Sequence, residues 1–236
     1  DGFVIRRFPV TNRLYIQFLD DLVANGRRED ALRHAPRERT GAQGSDSVIF
    51  GFDGTSFRLQ PDADGDTWDL DWPVFMIDWF GAKAYADWMA LRTGLPWRLP
   101  SEVEWEKAAR GVDGRLFPWG DYLDPSWANM RGSQVASGRP MPCPIYGFTE
   151  DESPYGVRGM GGNVRDWCNN RHDQPGIHDE RAFLEAFSPS PADRMVERGG
   201  FWMARPAHMH CATRSSDPAQ FRFAAMGFRL ARSLPG

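Results

Sequence analysis

The chain has 236 residues, 41% of them hydrophobic and 25% charged, the balance of an ordinary globular protein in water. Its net charge of −4 at pH 7 supplies no general electrostatic reason to bind nucleic acid or an anionic membrane. Three Cys, none in a Cys-x-x-Cys, make no disulfide framework, and no run of about 18 apolar residues is present to span a membrane. The opening, from Asp1 straight into an apolar segment, does not read as a secretory leader, and none is expected within these residues. The expectation is one soluble domain over residues 1–236, with a cytoplasmic setting favoured, cut from a longer protein.

The 10 Trp, 16 Phe, 24 Gly and 18 Pro predict short elements joined by long ordered loops, with rings filling the gaps. Phe3–Val10 reads as a strand. Thr11 or Asn12 can cap a helix carrying Leu14, Phe18, Leu22 and Val23, ended by Asn25-Gly26. A shorter helix is expected over Arg28–Arg33, then a polar loop over 34–47. Asp53-Gly54-Thr55 between two apolar runs predicts a hairpin. The acidic stretch from Asp62 to Asp69 resembles the start of a calcium loop but lacks the closing Glu, so an acidic surface turn is expected.

Pro73–Ile77 reads as a strand. Trp79–Gly94 reads as a helix with Ala82, Tyr85, Ala86, Met89 and Ala90 on one face. Ser101 and Glu104 form a capping box for a helix reaching Arg110 and ending at Gly111. Residues 112–160 are rich in loop formers. Strands are expected at Val164–Cys168, at Val196–Phe201, near 209–214, and at Phe228–Ala231. Helices followed by short strands in long loops is an α+β pattern.

Several motifs occur in a fixed order. They include Phe8-Pro-Val-Thr-Asn12, Trp97-Arg-Leu-Pro-Ser-Glu-Val-Glu-Trp105, Phe117-Pro-Trp-Gly120, Ser153-Pro-Tyr-Gly-Val157 and Met160-Gly-Gly-Asn-Val-Arg-Asp-Trp167. Arg198-Gly-Gly-Phe-Trp202, Arg214-Ser215 and Gly227-Phe-Arg-Leu230 complete the set. Together they resemble the formylglycine-generating-enzyme, or sulfatase-modifying-factor, family from about residue 3 to 232. The resemblance implies a C-type-lectin-like α+β fold, with a small twisted antiparallel sheet, two main helices and long ordered loops. It also implies structural roles: Arg98 and Glu104 as buried or half-buried ion-pair partners, Asn163 bonded to backbone, and Arg214 and Arg229 as structural residues.

The family's founding enzymes use a cysteine pair, copper and oxygen to oxidise a substrate cysteine. Here Ala204 and Met209 fall near those two positions, and Cys211 matches a third, non-catalytic one. Copper and iron are therefore not expected. The His208-Met-His-Cys211 cluster offers metal-ligand types, and as a strand it would put both His on one face. The helical domain with His-x-x-x-His that binds iron in the related sulfoxide synthases is absent. The family's calcium sites match Gly162, Val164 and Asp166 at one centre and Asn129-Met130 at another. Gly159 stands where a ligating Asn is expected, so a structural calcium is a weakly supported expectation.

Two readings follow. In the first, the domain binds a protein or small-molecule ligand on its C-terminal loops, through Trp202, Met203, Arg205, His208, His210, Phe221, Phe223 and Arg165. Domains similar to this one serve beside bacterial serine/threonine kinases and as variable proteins of diversity-generating retroelements. In the second, the domain is a metal-dependent oxidoreductase with altered ligands, using His208, His210 or Cys211.

Overall fold

The computed structural model describes residues 2–37, 48–62, 65–133, 140–173 and 189–234. The expected 34–47 loop thus lies largely outside the described residues, as does part of the acidic Asp62 turn. The elements are β1 (Phe3–Ile5), α1 (Asn12–Ala24), α2 (Arg28–His34), β2 (Phe50–Phe52), β3 (Phe57–Leu59), α3 (Trp79–Thr93) and α4 (Glu102–Arg110). β4 (Arg165–Arg171), β5 (Arg194–Arg198), β6 (Arg214–Pro218), β7 (Met226–Gly227) and β8 (Ala231–Ser233) follow. This is the expected α+β class. None of the described helices is long and apolar enough to cross a membrane.

Each main helix begins where a side chain can take an otherwise unsatisfied backbone N–H. Thr11 caps α1 by accepting from the Leu14 amide. Asp78 caps α3 by accepting from Gly81 N at 2.8 Å. Ser101 and Glu104 complete both halves of the capping box on α4. α3 ends on Gly94 at φ 68°, a left-handed value that costs a side-chain-bearing residue.

β4 is the centre of a four-stranded sheet in the order β6-β5-β4-β7. It runs antiparallel to β5 and parallel to β7, with Asp166 opposite Arg198 and also opposite Gly227. β1 pairs with β8, bringing the two ends of the described chain together, and β2 pairs with β3 as the expected hairpin. The largest core packs α1 and α3 against this sheet around Tyr15, Phe18, Tyr85 and Phe228. Tyr85 lies 5.3 Å from Phe228 and 5.8 Å from Tyr15, ring centre to ring centre.

Four expectations are corrected. The first strand stops at Ile5 rather than Val10. Pro73–Ile77 is buried and extended but joins no strand ladder. Its amides reach single partners instead: Val74 N donates to Val10 O and Met76 N to Phe223 O. Met76 sits at φ 58°, which breaks the strand geometry. The strand expected near 209–214 lies later, at Arg214–Pro218, because its partner β5 selects that register. On α1, Leu14 is 38% exposed, and Tyr15 and Leu19 take the buried face with Phe18 and Leu22.

Candidate functional site

The C-terminal loops are mounted on a buried polar frame. Arg229 and Asp166 are 0% and 1% exposed and pair at 2.6 Å. Asp166 Oδ2 also accepts from Trp105 Nε1 at 2.7 Å. Arg229 spends its remaining donors on the carbonyls of Arg158 and Gly159, at 3.0 and 3.1 Å. Beside it, the Asp151 carboxylate accepts from the amides of Gly161 and Gly162 at 2.9 and 3.0 Å. Burial pushes the Asp151 carboxyl up to about 6, against those bonds and Arg229. Asn163 sits at φ 70°; it accepts from Cys143 N at 3.1 Å and donates to Cys143 O at 3.0 Å. The structural roles expected for Arg98, Asn163, Arg214 and Arg229 are all present, with Arg98 and Glu104 paired at 2.6 Å and Arg214 held by Glu102.

The Gly199-Gly200 pair lets the next loop cross this frame. Gly199 has φ 91° and faces the Trp105 ring, while a Cβ on Gly200 would collide with the Gly161 carbonyl. Beyond it, Trp202 donates from its indole to Ala224 O at 2.8 Å, tying the loop to the turn that carries Phe221 and Phe223. Those two rings stack at 6.1 Å and are half-buried. Met203 is 43% exposed, and Arg205 and His208 are exposed on the same loop. His208 ends a short 3-10 turn, Pro206–His208, rather than lying on a strand. The expected alternation that would align it with His210 is therefore absent. His210 instead packs edge-on against Phe117 at 5.0 Å.

Arg165 is not free for a ligand. Its guanidinium pairs with Glu197 at 3.2 Å and lies over the Phe201 ring at 5.1 Å. Burial, reinforced by the neighbouring Asp217, pushes Glu197 up to about 8, and Arg165 opposes this.

One feature of this face was not anticipated. Phe117 and Trp119 stack at 5.2 Å, and Trp127 meets both Trp119 and Tyr122 edge-on, at 6.4 and 5.8 Å. Tyr122 is 69% exposed at the end of this row. Beneath it, Ala204 and Met209 are fully buried in one apolar cluster with Phe117, Ala128 and Met130. The sequence held the Phe117-Pro-Trp-Gly120 motif, but only the loop path shows that Tyr122 and Trp127 extend it.

The residues matched to calcium sites are placed as follows. Asp166 already carries the positive charge of Arg229, and its Oδ1 is buried without a partner. The Gly162 carbonyl accepts from Val164 N at 3.0 Å, and the Val164 side chain is core. Asn129 donates through Nδ2 to Met141 O at 2.8 Å, with its Oδ1 unpartnered; Met130 packs in the apolar cluster. Calcium wants six to eight oxygens, and a carboxylate bound to a resident guanidinium is poorly suited to a second cation. Among the described residues, no three His, Cys, Asp or Glu side chains converge as a metal site. The three cysteines are unpaired; burial pushes the thiols of Cys143 and Cys211 up to about 12 and raises that of Cys168 well above its ordinary value.

Comparison with known proteins gives a consistent picture. The family model described as "Sulfatase-modifying factor enzyme 1-like domain" matches residues 1–234. Hercynine oxygenase of Mycolicibacterium smegmatis is 32% identical over 98% of this chain and 53% of its own length. Serine/threonine-protein kinase pkn1 of Chlamydia caviae is 31% identical over 69% of this chain and 24% of its own length. The chain thus spans about half or less of the length of these curated relatives. Among solved structures, Treponema denticola variable protein 1 superposes with a TM-score of 0.64 at 17% identity, covering 98% of this chain and 84% of that one, which shows a shared fold. The frame, the loop path and the whole-chain match agree: this chain is a C-type-lectin-like α+β domain and belongs to the sulfatase-modifying factor enzyme 1-like domain family.

Proposed function

We propose that this domain is a recognition module that binds a protein or small-molecule ligand on its C-terminal loop face. One observation carries the reading. By the family resemblance, Ala204 and Met209 stand near the founding enzymes' cysteine pair, and both are fully buried as apolar packing. Neither can offer copper a thiolate. Above them lie Trp119, Trp127 and Tyr122, with Met203, Arg205 and His208 exposed on the adjoining loop. Rigid rings beside Arg and His suit binding. The similarity to pkn1 supports placing such a module beside a kinase in a longer protein.

The second reading, a metal-dependent oxidoreductase with altered ligands, draws support from the hercynine oxygenase similarity and from His208 and His210. The packing of His210 against Phe117, with His208 in a 3-10 turn rather than on a strand, counts against it. Two experiments decide between them. Metal analysis and oxidation of a cysteine-containing peptide should show neither stoichiometric copper or iron nor turnover. Stoichiometric metal that is lost in His208→Ala would overturn the recognition reading. A ligand screen should return compounds or peptides that bind the native protein and lose binding in Tyr122→Ala with Met203→Ala; hits indifferent to both would also count against this face.

A further inference from the structure

A second site lies where α2, the start of α3 and the turn after β6 meet. A cavity of roughly 220 Å³ is lined there by Arg33, Arg37, Asp78, Phe80, Pro191, Gln220 and Arg222. Its charges do not balance. The Asp78 carboxylate is committed: Oδ2 takes Arg222 at 2.7 and 3.0 Å, and Oδ1 takes Gly81 N at 2.8 Å. Arg222 is buried and further fixed by the carbonyls of Ala35 and Arg33, at 3.0 and 2.8 Å. Arg37 bonds only the Leu32 carbonyl through its side chain, at 2.7 Å, and its Nε is buried without a partner. Arg33 is exposed, and neither Arg33 nor Arg37 has a carboxylate partner among the described residues. Three guanidiniums face one carboxylate, which leaves two positive charges around one cavity.

Among the described residues, neighbouring groups do not cancel this charge. Asp30 is held by Arg27 at 2.8 Å, and Asp193 lies 3.9 Å from the guanidinium of Arg171. The ring of His34 contributes no positive charge at neutral pH, because burial lowers its pKa from the ordinary value. Forked N–H donors match tetrahedral oxyanions.

We infer that this cavity is a binding site for a phosphate monoester. Such a group carries close to two negative charges at neutral pH and three strong acceptor oxygens, which matches the excess here; a lone carboxylate brings half of that charge. Phe80 and Pro191 supply an apolar wall for the esterified group.

Calorimetric titration of the whole chain with phenyl phosphate tests this. Binding in the millimolar range or tighter is expected, weakening as salt rises. Arg33→Gln with Arg37→Gln should weaken it at least about tenfold, the loss of two charge-assisted contacts. Arg33→Glu, a reversal at an exposed position, should do the same with the fold unchanged by circular dichroism. Benzenesulfonate, a monoanion of similar shape, should bind more weakly. Inorganic phosphate and a phosphoserine peptide then distinguish sources: tighter binding of the peptide assigns a phosphorylated protein segment, and equal binding assigns a free phosphorylated metabolite. No binding of phenyl phosphate by the native chain, or equal binding by the native and folded variant chains, overturns the site. Neither outcome bears on the loop-face reading.

Discussion

Replacing Arg229 with Met should remove much of the stability of this domain. The guanidinium is 0% exposed and makes one ion pair and two short carbonyl bonds in the core. Breaking a buried pair from one side costs about 3–5 kcal/mol, because the other charge is left without a partner. The carbonyls of Arg158 and Gly159 lose their donors at about 1 kcal/mol each. Asp166→Asn should cost about 3 kcal/mol by the same logic, since Arg229 keeps its carbonyls while Trp105 keeps an acceptor. The double variant has no orphaned charge, so its cost should be about 4 kcal/mol, well below the sum of the two singles. Urea unfolding at neutral pH, run on the native chain and all three variants, measures each quantity. Single losses below about 1 kcal/mol, or losses that add to within about 0.5 kcal/mol, would refute the coupled-pair argument.

Other outcomes follow from the same geometry. Glu197, pushed up to about 8 from the ordinary 4.5, keeps a proton on folding that the unfolded chain gives up. Its contribution to stability is therefore full below pH 4.5 and lost as pH rises through about 8, so the native chain should weaken across that window more than Glu197→Gln; parallel urea midpoints would contradict this. Ser101→Ala removes the acceptor for Glu104 N and should cost about 1 kcal/mol, read as a lowered melting temperature. Gly200→Ala forces a Cβ onto the Gly161 carbonyl and should cost about 3 kcal/mol or prevent soluble expression. Native-state alkylation of Cys143, Cys168 and Cys211 by iodoacetamide at pH 8 should run at least about 100-fold slower than in urea, since burial disfavours each thiolate; equal rates would mean that the thiols are accessible and ordinary.

Local chemistry was legible in the sequence. Thr11, Ser101 with Glu104, Gly94 and Gly111 place helix ends by acting on backbone groups within a few residues, and the helices begin and end there. The ordered motifs, Gly161–Trp167 and Arg198–Leu230 above all, pointed to the fold family, because close backbone crossings at Gly199-Gly200 and the Asp166–Arg229 pair tolerate few other residues. What depends on distant partners was not legible. An apolar run such as Pro73–Ile77 reads alike whether it joins a ladder or lies buried between Val10 and Phe223, so the strand expectation failed there. β6 falls at Arg214–Pro218 because β5 supplies its hydrogen-bonding partners, not because its own residues favour a strand. Arg165 read as a ligand contact, but in the fold its guanidinium donates to Glu197 on the neighbouring strand. The excess positive charge beside Arg37 arises from segments far apart in the chain. Capping and turn chemistry act over a few residues; pairing, burial and charge balance are decided only when the folded chain brings its distant parts together.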